Sequence, residues 1–424
     1  MTSEVLILNK RAVVIGADSA VTTSGGDDHP RYSKTANKIF EISRMGTVAA
    51  AIYGSASLDH VPWEIALKLF RKQLEANTFD RVQDYATALT LFLSANDVLF
   101  PAALREAEIA DQFNTALAEI MKHISKQAPA VTDVASILQD RKAAWDLQAK
   151  ALEATLDRRG ITAPLTSPPL DAILANLQPW IDIAQQQVSA DPKLEAVDPI
   201  QLAVLGHKLR YMLPEMIFSS TSGIAVTGYG ETQIFPAYCR YDVFGHIGHE
   251  LFYKEVGAYE VTHVNHAMIQ PMAQSSMIDM FTDGFGQSLE KIISEKSRDV
   301  IDDVFQKIEA SGIAISSNLK QSISAACHDA FTIEWKKANW SENYVPLVSV
   351  LQSLSVGEMA HLAESLLGLQ SLKERVTSAS ETVGGPIDVA AISKDEGLVW
   401  IKRKHYFDTD LNLRFTARLN KSYD

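Results

Sequence analysis

The chain has 424 residues, 46% hydrophobic and 21% charged, with a formal net charge of −13. That is ordinary globular composition, and the acidic balance argues against a general phosphate-backbone binder, which needs a basic surface. Two cysteines exclude a disulfide framework and point to a reducing compartment. With no basic flank and long apolar run at the start, and no apolar stretch near the ~20 residues that span a bilayer, the expectation is a cytoplasmic protein without nucleic-acid or membrane partners.

Residues 5–8 and 12–17 are short Val/Ile/Leu runs joined by the polar turn Asn9-Lys10-Arg11, which predicts a hairpin. A Gly- and Asp-rich loop at 22–31 follows, then strand candidates at 38–42 and 47–53. From 58 to 74 apolar residues recur at helical spacing through Val61, Ile65, Leu69 and Phe70. The stretch 78–216 is rich in Ala, Leu, Gln and Glu and is interrupted by Pro129, Pro164, Pro168, Pro169, Pro179 and Pro192. It reads as several helices with turns between them, an insertion.

Strand signals resume at 223–229, 233–241, 249–256 and 259–266. Helical patterning runs from 276 to about 374, with breaks expected near Gly312 and Pro346. Strands at 387–393 and 397–404 close the pattern around the turn Lys394-Asp395-Glu396. Strands in adjacent pairs with hairpin-length connections suit antiparallel sheets layered between helices, an α+β arrangement. The core is expected from 2–77, 217–291 and 346–424, with 78–216 the helical insertion and 292–345 an additional helical segment.

Three residues near the amino terminus bear chemistry. Thr2 follows Met1, whose removal would leave a threonine carrying both a hydroxyl and an α-amine. With an unperturbed pKa near ~8, that amine can take the hydroxyl proton without a histidine. Asp18 closes the second strand, so a 5–8/12–17 hairpin puts it at the same end as Thr2. Lys38 begins the next strand; anchored by Asp18, it would lower the pKa of the nucleophile.

The spacing 18 − 2 = 16 and the segment Asn37-Lys38-Ile39-Phe40 resemble the opening of proteasome β subunits and the HslV peptidase, N-terminal-nucleophile hydrolases. The resemblance implies a four-layer αββα sandwich, here with a large helical insertion, and cleavage of amide bonds, peptide bonds foremost, through an acyl-enzyme on Thr2. It makes Gly54, in Tyr53-Gly54-Ser55-Ala56-Ser57, the backbone oxyanion donor. The turn Val383-Gly384-Gly385-Pro386 is similar to the family's entry to its penultimate strand. Ser380 and Val383 stand where the family has an Asp and a Ser supporting the terminal amine, with Glu381 a substitute for the acid. Ser275 and Ser276 are candidates for the family's other supporting serine. Ala20, Ala36 and Met45, small or apolar, are positions for a pocket that tolerates a hydrophobic side chain. The family implies a homo-oligomeric ring and leaves open an ATPase partner; no cofactor or metal is expected. Two other readings stay open: an inactive scaffold or regulator of the same fold, and an amidase acting on a small molecule or a conjugate.

Other clusters read as structural. His246-Ile247-Gly248-His249-Glu250 and His263-Val264-Asn265-His266 match no metal-binding helix signature and read as strand and turn histidines. Cys327-His328-Asp329 reads as helix with a buried cysteine, and Gly228 and Gly230 as a hairpin turn. Lys402-Arg403-Lys404-His405, with Trp400 and Tyr406, reads as a solvated edge or a contact for an acidic partner.

Overall fold

The computed structural model describes residues 3–24, 30–33, 35–44, 46–125, 149–151, 153–154, 177–190, 197–212, 221–247, 250–377, 384–405, 407–408, 411–414 and 417. The predicted hairpin forms from β1 (Ser3–Asn9) and β2 (Val13–Ala17), antiparallel with Leu6 opposite Ile15. Asn9 closes it, its Oδ1 accepting from the amides of Arg11 (2.9 Å) and Ala12 (3.3 Å), as side-chain turns of this kind do. Every residue of both strands is buried.

The expected 22–31 loop contains, at its ends, a small hairpin of β3 (Val21–Ser24) and β4 (Pro30–Ser33). β5 (Ile39–Glu41) and β6 (Val48–Gly54) follow as predicted. The helix expected from 58 begins later. Asp59 and His60 both have positive φ, 43° and 65°, which makes a tight two-residue turn between β7 (Ser57–Leu58) and β8 (Val61–Pro62). Pro62 then leads into α1 (Trp63–Leu74), whose buried stripe is Trp63, Ala66, Leu67, Phe70 and Leu74. Ile65 and Leu69, counted in the sequence pattern, face outward.

Next come α2 (Val82–Ala95), α3 (Ala102–Ser125), α4 (Gln178–Ala190) and α5 (Pro199–Met212). β9 (Ser222–Gly228), β10 (Ala237–Ile247), β11 (Glu250–Glu260) and β12 (Ala267–Ala273) follow. The break expected between 256 and 259 is absent: a register shift opposite Arg240 and Tyr241 leaves Val256 as a bulge, and β11 continues through Gly257. The strand expected at 259–266 is mostly turn, closed by Thr262 N to Asn265 O at 2.8 Å. Helices α6 (Ser276–Asp283), α7 (Gln287–Ala310), α8 (Ser317–Asn339), α9 (Val345–Leu351) and α10 (Val356–Thr377) complete the series before β13 (Asp388–Ser393) and β14 (Gly397–Lys402). Gly312 breaks the helix as expected, with φ +90°. Pro346 does not: it lies in the first turn of α9, entered through a π-helical turn at Trp340–Tyr344.

The strands form two five-stranded sheets, ordered β12-β1-β2-β13-β14 and β11-β10-β9-β6-β5. They face each other across a core that includes Leu6, Leu8, Ile15 and Ile392 from the first sheet and Ala49, Ala51, Ala225 and Tyr238 from the second. The alternate residues Val5, Ile7 and Val14 point the other way, onto α9 and α10 residues such as Leu351, Ala363 and Leu367. On the outer face of the second sheet, α1 and α2 pack through Phe70, Tyr85, Leu89 and Leu93. Two opposed sheets thus lie between two helical layers, and the period-two alternation of β1 explains why it reads as a continuous apolar run: both of its faces are covered. Helices α3, α4 and α5 gather a core of their own around Phe113, Trp180 and Leu205. Helices α7 and α8 pack on each other and leave many apolar residues exposed.

Leu6→Ala, a fully buried change between the sheets, is expected to cost about 2–5 kcal/mol. Ile333→Ala, on the open side of α8, is expected to stay within about 0.5 kcal/mol. Urea denaturation of both variants measures the contrast.

Candidate active site

Asp18 follows β2 directly and is 1% exposed. Its Oδ1 accepts from the Ser3 amide at 3.0 Å and from Lys38 Nζ at 2.5 Å, and its Oδ2 accepts from the Gly384 amide at 2.9 Å. The Asp18 amide donates back to Ser3 O at 3.1 Å. One carboxylate therefore joins the first strand, the lysine before β5 and the turn before β13. Lys38 is 4% exposed, and its carbonyl accepts from the Ile52 amide at 2.9 Å, which fixes it to β6. Two charges so buried survive because they are paired at contact distance and the carboxylate's remaining acceptor capacity is used. Nearby, Ser19 Oγ donates to Pro386 O at 2.5 Å.

Gly54 ends β6 with φ +77°, and a Cβ there would come within 2.6 Å of Thr221 O. Only glycine suits the position. The following loop is clamped by Ser55 N to Thr221 O at 3.1 Å and by Trp63 Nε1 donating to Ser222 Oγ at 2.8 Å. Lys38, Gly54, Ala36, Phe40, Ile52 and Trp63 are among the residues lining a cavity of about 150 Å³. Its walls are largely apolar, and the buried cation stands at its edge.

Glu4 was not picked out from the sequence. It lies on β1 opposite Ala17 and Met272, is 0% exposed, and neither carboxylate oxygen has a hydrogen-bond partner. Burial pushes its carboxyl well above the usual range, with Lys38 opposing the shift and Asp18 adding to it. Burial likewise raises Tyr53 and Asp242, the latter opposed by Arg240. A polar group of Glu4, Tyr53 and Asp242 thus continues from the Lys38–Asp18 pair into the space between the sheets. The available signal was the acidic residue's alternation with inward-facing Leu6 and Leu8.

Of the remaining predicted residues, Ala36 lines the cavity, whereas Ala20 is buried outside that lining. Thr2, Met45, Ser380 and Glu381 lie outside the described residues. Ser275 Oγ donates to Asp279 Oδ2 at 2.8 Å, while Ser276 Oγ accepts from Lys373 Nζ at 2.8 Å and contacts Gln370 Oε1 at 3.3 Å. The hydrogen bonds of these two serines run to Asp279 on α6 and to Gln370 and Lys373 on α10. His246 is a buried strand histidine whose Nδ1 lies 2.5 Å from Asp59 Oδ2. Cys327 is exposed, correcting the expected burial, because the helix turns His328 inward instead. Burial pushes the Cys239 thiol up to about 12. Among the described residues no group of three His, Cys, Asp or Glu is arranged to hold a metal, and no helix is long and apolar enough to cross a membrane.

Fold and site together define a two-sheet sandwich, covered by helices on both outer faces, with a buried lysine–carboxylate pair beside a small apolar cavity. No family model matches the chain, and no curated protein matches it in sequence. A solved structure described as the Anbu (Gly-1) mutant from Hyphomicrobium sp. strain MC1 aligns over 100% of this chain and 97% of its own, at 9% identity and a TM-score of 0.27. That TM-score is too low for the likeness to bear on fold or activity.

Asp18→Ala is expected to cost about 3–5 kcal/mol, because it strands a buried ammonium; chemical denaturation measures this. Glu4 gives a second expectation. Between the ordinary glutamate pKa near 4.3 and its raised value, the folded chain keeps a proton that the unfolded chain has released. Raising the pH through that window therefore removes stability, at up to about 1.4 kcal/mol per pH unit. Glu4→Leu should be the more stable protein above the ordinary glutamate range, with a gap that widens as the pH rises from about 4 in urea titrations. A gap independent of pH would mean that the carboxyl is not protonated in the folded state.

Proposed function

We propose that the protein is an N-terminal-nucleophile hydrolase of the proteasome-like type, a threonine hydrolase that cleaves amide bonds, peptide bonds foremost, after removal of Met1. The observation that carries this reading is the Asp18 carboxylate, which binds the Ser3 amide at 3.0 Å and Lys38 Nζ at 2.5 Å at once. Thr2 is the next residue before Ser3, and successive Cα atoms are about 3.8 Å apart. A hydroxyl and a free amine on residue 2 would therefore start within one residue of the buried pair.

In this mechanism Thr2 Oγ attacks the substrate carbonyl while its proton passes to the Thr2 α-amine. Lys38 favours the developing alkoxide, and Asp18 holds Lys38 in place. Burial of Glu4, which raises its carboxyl, disfavours a competing negative charge beside it. The Gly54 amide, at the rim of the cavity, is assigned to the oxyanion. Collapse of the tetrahedral intermediate breaks the C–N bond, and the α-ammonium returns its proton to the departing amine. Water then attacks the Thr2 ester, with the α-amine as base, releasing the acid and restoring the hydroxyl. Ala36, Phe40 and Ile52 give the cavity an apolar wall suited to a hydrophobic side chain next to the scissile bond.

A second reading is an inactive scaffold of the same fold, supported by Ser380 and Val383 where the resemblance asks for an Asp and a Ser. Peptide epoxyketone labelling separates the two. The hydrolase is expected to begin at Thr2 by mass spectrometry and to carry the adduct there. Thr2→Ala should abolish labelling, and Lys38→Ala should slow peptide hydrolysis at least a hundredfold, about the loss of one strong electrostatic contact. Circular dichroism checks that each variant is folded. A retained Met1, or an adduct that survives Thr2→Ala, would overturn the enzyme reading.

A further inference from the structure

Next to the Lys38 cavity lies a larger one of about 310 Å³, and the two share Asn37, Phe40 and Glu64 as a common wall. Its far side is built by Trp400, Arg403, Lys404, His405 and Phe407, which include most of the basic cluster read from the sequence as a solvated edge or an acidic-partner contact. The charges here divide unevenly. Glu64 is paired with Lys68 at 2.5 Å, so that acid and that base offset each other. Lys404 is paired with the buried Asp388, whose Oδ1 also accepts the Lys404 amide at 2.8 Å. Arg403 is different. Its guanidinium lies over the Trp400 ring at 4.4 Å, and among the described residues no carboxylate forms an ion pair with it and no acceptor takes its side-chain hydrogens. Its charge is felt at Glu41, which is already paired with Arg71 at 2.9 Å. His405 stands beside it, its ring 5.4 Å from that of Phe407.

We infer that this second cavity is a substrate subsite for a carboxylate, and that the substrates are acyl chains or peptides bearing an acidic side chain two residues from the one seated beside Lys38. A stacked guanidinium keeps its planar fork of donors directed along its edge, the geometry that binds a carboxylate through two hydrogen bonds. Trp400 and Phe407 supply apolar faces for the methylene stem of the acid. The spacing follows from strand geometry: in an extended chain residues i and i+2 point to the same side, about 6.6 Å apart, which suits two pockets sharing one wall. The inference rests on the hydrolase reading for its catalytic meaning; the carboxylate site itself does not.

The experiment compares matched peptides that differ only at that position, as Glu, Gln or Lys, on the full chain. The Glu peptide is expected to exceed the Gln peptide about five- to tenfold in kcat/KM, mainly through KM, as one charge-assisted contact at a partly solvated site provides. The preference should shrink as salt rises. Arg403→Gln is expected to bring the Glu/Gln ratio close to one, and Arg403→Lys to restore part of it. In parallel, calorimetric titration of the Thr2→Ala protein with the same peptides should show the Glu peptide binding several-fold tighter, and Arg403→Gln in that background should remove the difference. Equal binding of the Glu and Gln peptides, or a preference that survives Arg403→Gln, overturns the subsite. Acid-selective binding without hydrolysis of any peptide keeps the subsite and overturns the enzyme reading.

Discussion

Everything at the candidate site depends on the Asp18 carboxylate. It is a buried anion with three donors, one each from Ser3, Lys38 and Gly384. Charge held out of water is unfavourable unless contacts replace the lost hydration, and a carboxylate with several N–H donors meets that condition. The same contacts settle geometry. The start of β1, the lysine ahead of β5 and the turn ahead of β13 cannot drift apart without leaving a charge stranded, so electrostatic necessity serves as positioning.

Around that point the two-sheet core does a different task. Leu6, Leu8, Ile15 and Ile392 fill the space between the sheets and carry no titratable group. Glu4 interrupts this pattern. A carboxyl with no hydrogen-bond partner in a close-packed interior works against stability, and its place beside Lys38 and Asp18 puts that cost where chemistry is assigned. Buried groups of this kind, perturbed and without partners, concentrate at functional sites. The loop after Gly54 shows the opposite strategy: Trp63 donates to Ser222 and the Ser55 amide to Thr221 O, holding in place a turn that only glycine accommodates.

Much of this was legible in the residues. The Val/Ile/Leu runs of β1 and β2 and the return of strand character in β9 and β13 follow from pattern, and the pairing of Asp18 with Lys38 was expected from the family resemblance. What failed shares one cause. The turn at Asp59 and His60 depends on His246, which holds Asp59 from a strand almost two hundred positions further on. The continuation of β11 through Gly257 depends on a bulge against β10. Glu4 looks like a solvated strand end until β12 covers one side and the second sheet the other. Ile65 and Leu69 fit the helical period as well as Ala66 and Leu67 do, and only the sheet behind α1 decides which pair is buried. Local periodicity carries no information about a partner supplied from far along the chain.

The third donor to Asp18 has a consequence in time as well as space. Gly384 is separated from Asp18 by 366 positions, and β13 inserts between β2 and β14 within the first sheet. Contacts of such long range form late, after the loop they close has been ordered. On the ribosome, the amino-terminal hairpin emerges long before residue 384 is synthesised. Its carboxylate lacks one anchor, and β2 exposes an open edge, until that strand arrives. A nascent or truncated polypeptide therefore holds an incomplete carboxylate cluster, and the wiring of the sheet itself delays its completion until translation has passed β13.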